Sequence, residues 1–129
     1  MIDVLSVKAL VSHQLAIIEN PERREALLRL LTEPVLEHRA WQYGPVPQRF
    51  PCWVVGRAPA EGLAFVYCEH GFGPAFPWGC VEDDSGGLGM DAQWNWYLEE
   101  AFVQSGLWPG PVLASEPYHS PPEKRFPRP

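Results

Sequence analysis

Apolar positions in the first part of the chain recur at helical spacing. Over residues 6–20, Val7, Leu10, Val11, Ile17 and Ile18 fall on one stripe while Lys8 and Ser12 turn away, which predicts an amphipathic helix. Asn20-Pro21 should end it and start another, because Asn caps a helix N-terminus and proline is tolerated at the first helical position. The run ERREALLRLLTE places Leu27, Leu30 and Leu31 on a common face, with Pro34 as its expected stop. A helical hairpin is the expected product.

From about Val35 the pattern shortens to aromatic and β-branched runs separated by Gly and Pro. Strands are predicted at Leu36–Tyr43, Cys52–Arg57, Leu63–Glu69 and Trp78–Glu82. The connection APAEG is of hairpin length, so the second and third strands should pair antiparallel, with Cys52 roughly opposite Cys68. Helical spacing returns in GGLGMDAQWNWYLEEAFVQSG. Asp91 is its expected N-cap, Trp94, Leu98, Ala101, Phe102 and Ser105 share one face, and Gly106 is the stop. Trp96 and Val103 fall on the other face, with Glu99 and Glu100. After Trp108 there are 7 prolines in the last 21 residues, which predicts an extended tail laid on the domain through Trp108 and Tyr118. The architecture expected is α+β, one domain over residues 1–108 and a proline-rich tail over 109–129. Its small antiparallel sheet of about four strands is covered on one face by helices.

Composition sharpens this picture. A chain of 129 residues buries about two thirds of its unfolded surface, enough for a core without staples. Its 15 prolines, 11 glycines and 6 tryptophans predict a loop-rich fold with aromatic anchors. No apolar run is long enough to cross a bilayer and the N-terminus carries an acid rather than the positive charge of a signal peptide, so a cytoplasmic location is expected. Cys52, Cys68 and Cys80, an odd number at wide spacing, should be free and mostly buried.

Charge is distributed unevenly. The net charge is −6, yet no Lys or Arg occurs between Arg57 and Lys124, a stretch that holds most of the acids. Such a surface repels nucleic acid and anionic membrane and attracts basic partners. Candidate chemistry is sparse. Cys52, Cys68, His70 and Cys80 lack the close C-x-x-C pairs usual for zinc, so no metal or cofactor is expected. A nucleophile would have to be Cys68 with His70 as base, and a carboxylate site would draw on Glu69, Asp83, Asp84 and Asp91. Neither stands in a recognisable catalytic motif. The glycines of HGFGP and SGGLG have no phosphate-binding lysine near them.

The loop GFGPAFPWG is specified in shape by its glycines and prolines. Phe72, Phe76 and Trp78 either plug the sheet or form a preorganised anchor. The segments GFGPAFPWGCVEDD and GMDAQWNWYLEEAF, within residues 62–106, are similar to segments of uncharacterised bacterial proteins. In its small size, acidity and Trp-rich α+β character, the whole chain resembles the immunity proteins of bacterial polymorphic toxin systems. That resemblance implies a cytoplasmic antitoxin that binds a cognate toxin domain, often a nuclease. The physical reading nominates the aromatic anchors Phe72, Phe76, Trp78 and Trp96 and the steering acids Glu82, Asp83, Asp84, Glu99 and Glu100 for a basic protein partner. A small enzyme using Cys68 and His70 and a self-associating accessory module are the other functions weighed.

Overall fold

The computed structural model describes residues 2–111 apart from positions 42, 45, 47, 91 and 92. Helix α1 spans Val4–Ala16 and starts where the Asp3 carboxylate accepts from the Ser6 amide at 2.8 Å. Helix α2 spans Pro21–Leu28. As its sequence predicts, Asn20 Oδ1 accepts from the amides of Glu22 and Arg23, at 3.0 and 3.1 Å, and Pro21 takes the first turn. The two helices are tied by Arg24, whose guanidinium donates to the carbonyls of Leu15, at 2.9 Å, and Ile18, at the C-terminal end of α1.

Helix α2 ends earlier than its leucine pattern suggests. Leu31 opens strand β1, Leu31–Trp41, and Pro34 lies inside that strand, at the irregularity between Leu31 and Val35 where the register with β2 shifts. Proline is tolerated there because β1 is at the rim of the ladder. The turn is held by β2, Gln48–Ala58: the Arg57 amide donates to the Leu30 carbonyl at 2.9 Å, and a Cβ on Gly56 would come within 2.8 Å of that same oxygen. Only glycine allows this approach.

Strands β3, Leu63–Tyr67, and β4, Trp78–Glu82, continue an antiparallel meander that closes on β5, Trp94–Asn95, so the order is β1-β2-β3-β4-β5. The class is α+β, with five strands rather than about four. Trp53 pairs with Tyr67, and the same register carried one residue further sets Cys52 opposite Cys68, as expected. Strand β5 falls where helical spacing predicted the start of a helix. Trp94 pairs with Gly79 and its ring occupies the space a side chain would need, 2.7 Å from a Cβ built there, while its indole N–H donates to the Leu88 carbonyl at 2.5 Å. Helix α3 is correspondingly shorter, Leu98–Gln104. The expected cap Asp91 and the tail from residue 112, with Tyr118, lie outside the described residues.

Alternation along the strands divides the core in two. Val55, Phe65, Tyr67, Trp78 and Cys80 pack with Val7, Ile18 and Leu27 and with Leu98, Ala101 and Phe102 of α3. Cys52, Val54, Ala64, Val66, Cys68 and Val81 face the other way and are covered by Leu88 and Trp94. The segment after β4 returns to the far edge to do this: Ala40 donates to the Gly86 carbonyl at 2.9 Å and accepts from the Leu88 amide at 3.1 Å, partly covering the exposed edge of β1.

Candidate partner-binding surface

The loop GFGPAFPWG does not act as one plug. Its ends are pinned by the Cys68 amide donating to the Pro77 carbonyl at 2.8 Å, and Gly73 takes a left-handed φ of 95° in the turn. From this frame the three aromatics go to three places. Trp78 is 2% exposed and packs on Tyr67 with ring centroids 4.8 Å apart, so it is core and not an anchor. Its even-numbered position on β4 faces the helices, where the apolar area is largest. Phe76 remains at the surface, stacked on Trp96 at 5.1 Å and 28°. Phe72 joins Trp41, at 4.8 Å, and Tyr43, at 5.5 Å, in edge-to-face geometry.

Around Trp41 a continuous aromatic cluster forms. Trp41 meets Tyr43 at 5.2 Å and Phe50 at 5.7 Å, Phe50 meets His70 at 5.9 Å, and Phe72 rests on Trp94 at 6.0 Å. Its inner members are tied to the sheet, but Tyr43 is 55% exposed and Val46 in the same hairpin 63%. Trp41, Tyr43 and Phe50 were not singled out from sequence. The alternation Trp41-x-Tyr43 ahead of a proline-rich hairpin was the signal available, and it gives a shared face without saying which face stays wet.

The acids separate just as sharply. Glu82 and Asp84 are exposed. Asp83 between them is taken up by cations from the first half of the chain: the Arg57 guanidinium lies 2.5 Å from its carboxylate and that of Arg39 3.4 Å, while both arginines also meet Glu37, at 3.0 and 3.1 Å. Glu99 and Glu100 are 4% and 1% exposed, which removes them as steering groups. The reason lies in α3. Its cap residue Tyr97 offers no side-chain acceptor, so Glu100 accepts from the Trp96 amide at 3.2 Å and Gln14 of α1 accepts from the Leu98 amide at 2.9 Å. Glu99 pairs at 2.8 Å with Arg23, which is buried and lies 5.3 Å over the Trp108 ring. The two carboxylates expected on the far face of the helix are therefore internal, while Trp96 and Val103 beside them are half-buried.

Every Lys and Arg among the described residues is engaged. Lys8 pairs with Glu33 at 2.6 Å and Arg29 with Glu25 at 4.0 Å, and Arg49 donates to the His38 carbonyl at 2.7 Å, beyond the four arginines already placed. Glu19, Glu22, Glu61, Glu82 and Asp84 are exposed and make no ion pair among the described residues. Glu61, Glu82 and Asp84 share one end of the sheet, where Leu63 pairs with Glu82 and the Asp83 amide donates to the Gly62 carbonyl at 2.9 Å. The aromatic cluster is at the other end.

Cysteine chemistry is held down by burial. All three thiols are free and buried; burial pushes Cys52 up to about 12 and Cys80 up to about 11, and raises Cys68 as well. The Cys68 thiol donates to the Pro51 carbonyl at 3.6 Å, and His70 is exposed against Phe50. Cys80 faces the helices while Cys52 and Cys68 lie opposite one another on the other side of the sheet, so the structure does not bring the four candidate ligands into one site.

No protein-family model matches the chain, and neither a curated protein nor a solved structure shows significant similarity to it. The fold and the surface therefore carry the functional reading.

Proposed function

We propose that the protein works by binding a basic protein partner, as an immunity protein binds its toxin, with the aromatic cluster around Trp41, Tyr43 and Phe72 as anchor. The observation that carries this reading is Tyr43, more than half exposed yet fixed against two other rings. An amphipathic side chain held in place loses little entropy on binding, and such residues dominate the energetics of interfaces. Arg23, Arg39 and Arg57 are drawn into ion pairs within the fold and the surface cations Lys8 and Arg29 sit beside carboxylates of their own, so the described surface offers a partner mainly free carboxylates. Exposed pairs contribute about 0.2 to 1 kcal/mol each, so charge serves the encounter and the rings slow release. A nuclease domain, which must present cations to phosphate, fits this chemistry. A catalytic role for Cys68 draws no support from a thiol raised rather than depressed.

The test uses wild-type and Tyr43→Ala baits of matched melting temperature, followed by association kinetics on any basic protein retained. A partner bound at least about thirty-fold more weakly by Tyr43→Ala, roughly 2 kcal/mol, supports the reading. Retention of the same proteins with equal affinity by both baits removes it. Paired Glu82→Lys and Asp84→Lys changes should slow association and flatten its salt dependence.

A further inference from the structure

A second feature lies on the helix side of the sheet, at the open end of β2 and β3. There Ile2, Pro51, Trp53, Tyr67, Glu69 and His70 line a cleft of about 210 Å³. We propose that this cleft receives one lysine or arginine side chain of a partner protein, a reading that rests on the basic partner inferred above.

The cleft follows from strand geometry. Trp53 and Tyr67 are directly paired across β2 and β3, so their rings stand side by side on one face. Glu69 lies two residues beyond Tyr67, and the Tyr67 hydroxyl donates to Glu69 Oε1 at 3.1 Å. Burial first and then the Glu69 charge hold the Tyr67 phenol above its usual range, so it stays a neutral donor. Glu69 makes no ion pair among the described residues, although seven cations elsewhere are engaged. A carboxylate beside two electron-rich rings is the combination that attracts an organic cation, through ion pairing at the head and ring faces along the stem.

Size selects the class of occupant. At about 30 Å³ per water, 210 Å³ holds roughly seven waters, enough for the end of one long side chain and too small for a drug-sized ligand or cofactor. A phosphate or carboxylate ligand is disfavoured by Glu69 itself.

The probes are Nα-acetyl-lysinamide, Nα-acetyl-argininamide and the neutral isostere Nα-acetyl-norleucinamide, titrated into the full-length protein at low salt. The readout is the proton–nitrogen correlation spectrum. The indole N–H of Trp53 is buried with no acceptor among the described residues, which makes it a sensitive reporter, and a Trp53→Phe sample assigns it. Saturable shifts at Trp53, Tyr67 and Glu69 are expected with the cationic probes, at least ten-fold weaker with norleucinamide and at least ten-fold weaker with Glu69→Gln. Glu19→Gln, which removes one exposed, unpaired negative charge elsewhere, should change the affinity less than two-fold. Equal affinity for lysinamide and norleucinamide, no loss in Glu69→Gln, an equal loss in Glu19→Gln, or no saturable shift at all would each overturn the assignment. None of these outcomes bears on the aromatic cluster, which stands or falls with Tyr43→Ala.

Discussion

Replacing Arg23 by Met removes the guanidinium that pairs with Glu99. Both side chains are almost sealed, at 2% and 5% exposure, and pair at 2.8 Å. Breaking such a pair costs about 3 to 5 kcal/mol, because the remaining charge sits in a medium that solvates it poorly. The guanidinium also lies 5.3 Å over Trp108 and donates to the Pro111 carbonyl at 3.2 Å. Its stacking adds about 0.5 to 2 kcal/mol. In a domain of this size each kcal/mol moves the midpoint of thermal unfolding by about 3 to 5 °C, so the loss should be roughly 10 to 35 °C. Urea unfolding followed by tryptophan fluorescence measures the free-energy loss directly. Glu99→Met should be similarly costly, whereas the double variant should recover most of the loss, since two apolar groups of like volume leave no charge behind. An Arg23→Met protein within 1 kcal/mol of wild type, or a double variant as unstable as the sum of the singles, would show that the pair is not sealed as described.

The three consecutive acids should behave differently. Asp83→Ala should cost about 1.5 to 3 kcal/mol because it strips a charged acceptor from Arg57 and Arg39, while Glu82→Ala and Asp84→Ala should stay within about 0.5 kcal/mol, as denaturant midpoints would report. Gly79→Ala and Gly56→Ala should each destabilise by about 1 to 3 kcal/mol, because the new methyl meets the Trp94 ring or the Leu30 carbonyl, and calorimetry of the two variants checks this. Stability should also fall with alkali. The folded thiols of Cys52 and Cys80 lie at about 12 and 11 against 9.0 unfolded, so above pH 9 the unfolded chain releases protons that the folded chain keeps. The slope is about −1.4 kcal/mol per pH unit per thiol until the folded values are reached, and Cys80→Ala should remove one thiol's share of it in unfolding curves between pH 9 and 11.

Much of the fold was legible because its signals are local. The Asn20-Pro21 cap, the two-residue alternation of the strands and the short APAEG turn each act within a few residues, and the elements they predict are present. The misread segments are those where a distant partner overrides local preference. Leu30 and Leu31 leave the helix because β2 offers Gly56 and the Arg57 amide as a better partner. Trp94 and Asn95 extend as a strand because β4 has an open edge and a glycine shaped to the indole.

The same division runs through the candidate surface. By itself the sequence determined the surplus of acids, the free thiols and a stiff aromatic loop, all of which follow from residue identity. It could not determine that Glu99 and Glu100 turn inward, that Asp83 belongs to the arginines, or that Tyr43 rather than Trp78 is left in water. Exposure depends on which elements pack across the sheet, and a carboxylate on a helix has the same local pattern whether it meets solvent or a buried arginine. Only the tertiary structure, by bringing Arg23 to Glu99 and Trp53 beside Tyr67, separates the charges that hold this protein together from those it has left for another molecule.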